Sequence, residues 1–367
     1  MKLRWPGIKI LDRYIIGKFL GTYLFAITLF IVILVIFDYV EKIDDFTETH
    51  ATLKEVLFEY FLNFVPSFIN QYSGLFTFIA VIFFTSKMAY QTEIIAMLSG
   101  GMSFRRLMWP YFLGALFIAG VSVTLNLWVI PVTQRHVVAF ENQHLRRRLN
   151  TKYDRHIYRQ VEPGQFVYIR GYNEASGGAS FFSLEQYESG AIVHSLEAAD
   201  VKFDSESKRW SASRYTRREF DSSGNERFSQ HRNLDTLINL DIAEIGEIKY
   251  MVKTLKIKEL NAFLDQQRAK GSDSINIIEV ERHSRYSYPL GTFMLTLIGV
   301  SLSSRKVRGG TGLHIGVGIS LCFSYILFAR VAEEFGKSGD MSPGLAVWIP
   351  DILFVFIAIY LYNKAPK

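Results

Sequence analysis

The sequence predicts a helical membrane protein of six spans, arranged three and three around an inserted antiparallel β domain. Long uncharged apolar stretches fall only in the first 135 residues and after residue 285. A polar block of about 150 residues separates them. Within that block, short aromatic and β-branched runs alternate with turn-forming residues. A bilayer leaves no water to pair backbone N–H and C=O groups, so an uncharged run of about 20 residues reads as a spanning helix.

The charges that end each run mark the spans. Lys18 and Asp38 enclose the first, Glu59 and Lys87 the second, Arg106 and Arg135 the third. Arg285 and Arg305 enclose the fourth, Arg308 and Arg330 the fifth, and the sixth covers residues 345–362 with one acid, Asp351. The second and third runs exceed what a span needs, so their helices tilt or project beyond the hydrocarbon. The chain divides into an N-terminal membrane half (1–131), an inserted domain (132–272) and a C-terminal membrane half (273–367).

Loop charge sets the expected orientation. Lys2, Arg4, Lys9, Arg13 and Lys18 precede the first span, and Lys87, Arg105 and Arg106 follow the second. Arg305, Lys306 and Arg308 follow the fourth, and Lys364 and Lys367 end the chain. Residues 38–59 carry seven acids against Lys42 and Lys54. By the positive-inside rule both termini are cytoplasmic and the inserted domain lies on the far side. The formal charge of +6 is mostly this topology signal, so it does not indicate nucleic-acid binding. The single cysteine, Cys322, falls in the fifth span, which excludes an intrachain disulfide and a cysteine metal cluster. The first apolar run is too long for the core of a cleaved signal peptide.

In the central block, GQFVYIR (164–170), ASFFSLEQY (179–187), AADVKFD (198–204) and WSASRYTRREF (210–220) read as strands. Turn residues punctuate them at 173–178, 188–190, 204–208 and 221–225. This pattern predicts an antiparallel sandwich or open barrel. Leu260, Phe263 and Leu264 predict a short amphipathic helix over 257–270, ending at Gly271.

No catalytic signature accompanies this architecture. The chain has no GxxxxGK[ST] loop to cradle a nucleotide and no HExxH pair. Glu141 and His144 have ExxH spacing without a counterpart on another helix, which fits a solvated helix face better than a metal site. An intramembrane hydrolase would need paired catalytic groups at membrane depth, where only Asp351 and His314 stand.

The segment TSKMAYQTEIIAMLSGGMSFRRLMWP (85–110) is more informative. Met88, Ile94, Ile95, Met97 and Leu98 predict an amphipathic helix over about 86–100, closed by Gly100 and Gly101. It reads either as a helix lying in the headgroups with Glu93 on its wet face, or as a coupling helix that docks on a soluble partner through Glu93.

LDRYIIGKFLGTYLF (11–25), TEIIAMLSGGMSFRRL (92–107), FVYI (166–169) with VKFDSESKRW (201–210), and YPLGTF (288–293) resemble the LptF/LptG permease family of lipopolysaccharide export. The resemblance covers nearly the whole chain in order, and the opening and the FVYI/VKFD segment are closer to LptG. It implies a β-jellyroll-like periplasmic domain and an inner-membrane subunit that pairs with a second LptF/LptG-family permease on an LptB-like ATPase dimer. It implies no cofactor on this chain, since ATP and Mg belong to the ATPase. Lipopolysaccharide would leave the inner membrane through the permease pair and pass up the β domain to an LptC-like bridge protein. By resemblance Glu93 is the coupling-helix glutamate, with Arg105 and Arg106 beside it. A mechanical permease of the FtsX/MacB type is the competing reading. It places its external domain after the first span, whereas three spans come first here.

Two departures from the family stand out. The outer end of the first span, FDYVEKIDDF (37–46), is acidic where LptG proteins carry lysines that contact lipopolysaccharide phosphate. Gln91 stands where the family commonly has arginine. Arg135, Arg282, Arg285 and Arg330 at the outer rim are therefore the candidate headgroup contacts, with Lys42 a further one; singly, each also reads as an interfacial arginine or an acid-paired lysine. Phe166, Ile169, Phe182 and Phe203 are the candidate acyl-chain lane, against the alternative of an ordinary β core.

Overall fold

The computed structural model describes residues 9–145, 154–173, 177–188, 190–204, 207, 209–220, 225–237, 248, 251–269, 272, 274–304 and 312–365. Arg305, Lys306, Arg308 and Gly271 lie outside the described residues, as do most of the expected turn positions. The chain forms two compact units: Met1–Val137 with Glu279–Lys367, and Val138–Ile278.

The membrane unit contains α1 (Ile10–Glu48), α2 (Leu53–Tyr90), α3 (Glu93–Ser99) and the start of α4 (Phe104–His144). After the second unit, which includes α5 (Ile257–Ala269), come α6 (Ile275–Ser303), α7 (Gly312–Ser338) and α8 (Pro343–Lys364). Among the described residues, five helices are long and apolar enough to cross a membrane. α6 falls short of that measure because Glu279, Glu281, Arg282 and Arg285 occupy its first turns and Ser, Thr and Tyr dilute the uncharged remainder.

The helices overrun the charges expected to bound them. At 1.5 Å per residue the 39 residues of α1 span roughly 58 Å, against a hydrocarbon core of about 30 Å. Charged turns at both ends stay helical because Lys, Asp and Glu do not break a helix and can reach water. α4 likewise continues past Arg135 to His144, so residues 132–144 are helix rather than part of the β structure. Wide π-type turns occur at Val56–Phe61 and Leu125–Val129. The second lies just before Pro131, whose missing N–H disturbs the ladder of the preceding turn, and the first ends five residues before Pro66.

The expected helix over 86–100 is corrected. α2 runs to Tyr90 and carries Met88, while α3 is only Glu93–Ser99. Thr92 at the break has φ 61°, a left-handed conformation that ends one helix and aims the next.

One core joins α1 through α4. Ile15, Phe19, Tyr23 and Ile27 recur every four residues on α1 and pack with Phe84, Ile94, Leu107 and Tyr111. Gly114 permits the approach: a Cβ there would lie 2.4 Å from the Phe19 ring. Phe104 and Ala365 belong to the same cluster, and Phe104 meets Tyr362 at 5.8 Å between ring centres. The first turns of α1, α3 and the end of α8 therefore share one end of the bundle.

The second unit is built on β1 (Asp154–Glu162), β2 (Gln165–Asn173), β3 (Gly178–Glu188), β4 (Ala191–Asp204), β5 (Arg209–Phe220) and β6 (Glu226–Leu237). They form one antiparallel sheet in sequence order, a meander that supplies the inserted antiparallel β domain expected from the sequence. Its apolar cluster draws on every strand, from Val161 on β1 to Leu234 on β6, so one apolar cluster runs across the whole sheet. The buried set changes parity midway: Val167 and Ile169 give way to Tyr172, Leu184 and Phe182 to Ala179, and Ala198 to Val201. Left-handed Phe181 (φ 50°) and Asn233 (φ 56°) mark this line. α5 packs separately, with Leu260 and Leu264 against Ile248, Val252 and Ile278.

Candidate functional site

At the shared end of the bundle, Glu93 opens α3 as a half-buried carboxylate. The Tyr14 hydroxyl on α1 donates to its two oxygens at 3.2 and 3.4 Å. Arg105 and Arg106 begin α4, capped by the Ser103 hydroxyl, which accepts from the Arg106 N–H. Arg105 is exposed. Arg106 turns inward, and both its terminal nitrogens donate to Asp12 on α1 at 2.6 Å. Asp12 is 2% exposed and also accepts from the Lys9 backbone N–H at 2.8 Å. The bidentate geometry is what makes a charge pair this buried tolerable. Asp12 and Tyr14 are contributors that the sequence did not single out.

The five basic residues proposed for headgroups occupy different settings. Lys42 is enclosed: it pairs with Asp38 at 2.8 Å, donates to the Tyr60 hydroxyl and sits over the Tyr60 ring. Arg285 is buried and bonded through Nε to Glu281 at 3.1 Å. Arg330 donates to Glu333 at 3.0 Å and, with Asn70, Tyr72, Tyr288 and Tyr325, lines a small pocket of about 60 Å³. Arg282 is half-buried and Arg135 exposed. Arg330 alone of the five thus lines this pocket.

That pocket borders a polar network within the helices. Glu333, 5% exposed, accepts from the Tyr288 hydroxyl at 3.2 Å. Asp351 accepts from Ser287 at 2.6 Å and Tyr325 at 2.8 Å, which links α6, α7 and α8. These two hydroxyl donors account for an acid at position 351 within an apolar span. On α2, Asn70 donates to Asn126 at 2.9 Å and accepts from Ser122 at 2.6 Å, tying α2 to α4. Of these partners only Asp351 carried a sequence signal. Hydroxyl and amide side chains scattered through apolar runs do not reveal which of them converge.

In the β unit, Ile169 and Phe182 are fully buried and paired across β2 and β3. Phe182 and Phe203 both pack on Trp210, at 5.4 and 5.0 Å between ring centres. Phe166 stands apart, on the other side of β2 between Tyr158 and Tyr187. The sequence thus brings three of the four lane residues into one cluster, with Trp210 as the unforeseen centre.

The model of the lipopolysaccharide export system permease family LptF/LptG matches residues 13–364. The chain belongs to the LptF/LptG family. No curated protein matches it. As an LptF/LptG chain it is a multi-pass membrane permease of a lipopolysaccharide export system. Its membrane helices and antiparallel β unit are the two parts that the six-span reading required.

Proposed function

We propose that this LptF/LptG-family chain is the permease subunit that converts ATP hydrolysis on an LptB-like ATPase dimer into extraction of lipopolysaccharide from the inner membrane. The observation that carries the reading is the position of Glu93. It is a half-buried carboxylate at the start of a short helix, at the end of the bundle that carries the first turn of α1, within a chain matched by the family over residues 13–364. In this reading that end is cytoplasmic, and Glu93 meets a cation of the ATPase.

The least buried of the spans are α1 and α7, with 17% and 22% of their apolar windows buried, against 56% in α2. Phe25, Phe37 and Val40 on α1 and Phe323, Leu327 and Val331 on α7 are exposed. These two helices are the faces offered to a second family permease and to the acyl chains of the cargo. Arg330 on α7, beside Tyr288 and Tyr72, is the strongest of the candidate headgroup contacts, because it already lines a pocket together with other polar side chains. In the β unit, the Ile169, Phe182, Phe203 and Trp210 cluster is the apolar path. The outer edges of β1 and β6, unpaired with another strand among the described residues, are the places where an LptC-like bridge would extend the sheet.

Affinity purification of the chain in mild detergent, with mass spectrometry of co-purifying proteins and lipids, tests the reading. An ATPase, a second family permease and a lipopolysaccharide-type glycolipid are expected. Recovery of the ATPase with periplasmic proteins and no enriched glycolipid would instead mark a mechanical permease.

A further inference from the structure

We propose that Asp12 is a positioning residue for transport: together with Tyr14 it clasps the α3 segment to the first turn of α1, so that movement imposed on α3 is delivered to α1 as a rigid displacement. The proposal rests on the reading of Glu93 as the ATPase contact.

The clasp has two jaws. Tyr14 reaches Glu93 at the start of α3, and Asp12 grips Arg106 at the start of α4, so two side chains on one turn of α1 hold both ends of the 93–106 segment. The Asp12 jaw is built for rigidity. Its carboxylate is almost fully buried and receives three N–H donors, two from Arg106 and one from the Lys9 backbone. Removing one member of such a pair strands a charge, so the contact resists sliding as well as separation.

Apolar packing continues the grip along the helix. Ile15 and Phe19 follow Asp12 towards the middle of α1, against Ile94 of α3 and Leu107 and Tyr111 of α4. At Gly114 the Phe19 ring packs directly on the α4 backbone, where a Cβ would lie 2.4 Å from the ring. Beyond Ile27 the contacts of α1 continue onto α2, where Phe30 stacks on Phe68, Lys42 donates to the Tyr60 hydroxyl and Phe46 is buried beside Tyr60, while Phe37 and Val40 are exposed. A helix held along its length moves as one body, and because its length exceeds the hydrocarbon thickness a displacement of its first turn reaches the far end of the span. The assignment also separates the two arginines. Both terminal nitrogens of Arg106 are committed to Asp12, so Arg106 acts through α1, whereas exposed Arg105 is free to face the ATPase surface.

The test uses the complete transporter in proteoliposomes, measuring glycolipid released per ATP hydrolysed, with thermal midpoint and ATPase co-purification recorded for each variant. Asp12→Asn and Tyr14→Phe are each expected to lower the released-lipid-to-ATP ratio roughly 5-fold or more. The charge swap Asp12→Arg with Arg106→Asp is expected to recover part of the loss. A merely structural ion pair would lower the thermal midpoint and reduce release and hydrolysis together, leaving the ratio at its wild-type value; that result overturns the proposal. If Asp12→Asn does not assemble, Tyr14→Phe decides, because Tyr14 is 39% exposed and its ring remains: a lowered ratio supports the clasp and an unchanged ratio overturns it. Absence of ATPase from the wild-type preparation would overturn the coupling reading and the clasp with it. Normal wild-type coupling with an unchanged ratio in both variants would overturn the clasp alone.

Discussion

At the scale of single residues, three buried acids connect helices. Asp12, Glu333 and Asp351 are nearly inaccessible, and each is held by a donor from another element. Glu93 differs, since it keeps an accessible face while leaning on Tyr14. A charge-assisted contact from Glu93 to the ATPase contributes about 1.5–3 kcal/mol when desolvated, so Glu93→Ala is expected to weaken ATPase retention roughly 10-fold or more without altering the thermal midpoint. Quantifying ATPase recovered per permease in detergent checks this, and full recovery with normal export would return α3 to an interfacial helix. Neither Asp12 nor Tyr14 was legible in the sequence. Asp12 is one acid among basic neighbours, and its partner lies 94 positions away.

At the scale of elements, the β unit raises the question of whether its apolar cluster is only a core. Phe182→Ala removes a fully buried ring, and a cost of about 3–5 kcal/mol is expected from the cavity alone. Stability loss therefore cannot separate a core from a lipid path. A photo-crosslinking residue can: placed at Phe203, which is half-buried beside Trp210, it is expected to form glycolipid adducts that increase with ATP. Folded protein with no adduct at any position of the cluster would reduce it to a core.

The sheet edge carries a pH-dependent contact of a different kind. Arg218 bonds both Glu197 and Glu226, and this holds the Glu226 carboxyl below its ordinary value of 4.5. A lowered folded-state value means the contribution is fully present above the ordinary carboxylate range and is lost as pH falls through the folded value. Because Glu226 is exposed the effect is small, and Glu226→Gln is expected to change the thermal midpoint slightly at pH 7 and not at all well below pH 4. Four of the six strands were legible from alternation, whereas β1, β6 and the parity change were not singled out: Phe181 gives no sign of a left-handed backbone, and Asn233, a residue type that favours one, lies in the unassigned β6.

At the scale of the whole molecule, the order of membrane helices, β unit and membrane helices was legible because charge interrupts apolar runs wherever the chain meets water. The helix ends were less so. α1 and α4 pass straight through their bounding charges, α7 passes Arg330, and α2 extends at both ends, because nothing in those turns opposes helix. Topology follows from the charge pattern, and single cysteines at Ser229 and Ser338 are expected to react with an impermeant thiol reagent in spheroplasts, while one at Ser99 is not. All three positions are exposed, so labelling at Ser99 alone would invert the orientation.

The central claim is that this chain turns ATP hydrolysed on another subunit into lipid movement. Its most direct test is ATP-dependent transfer of lipopolysaccharide from proteoliposomes containing the purified complex to a soluble periplasmic acceptor. The account predicts transfer that requires ATP and is lost with Glu93→Ala. Sustained ATP hydrolysis by the wild-type complex with no lipid reaching the acceptor would contradict it.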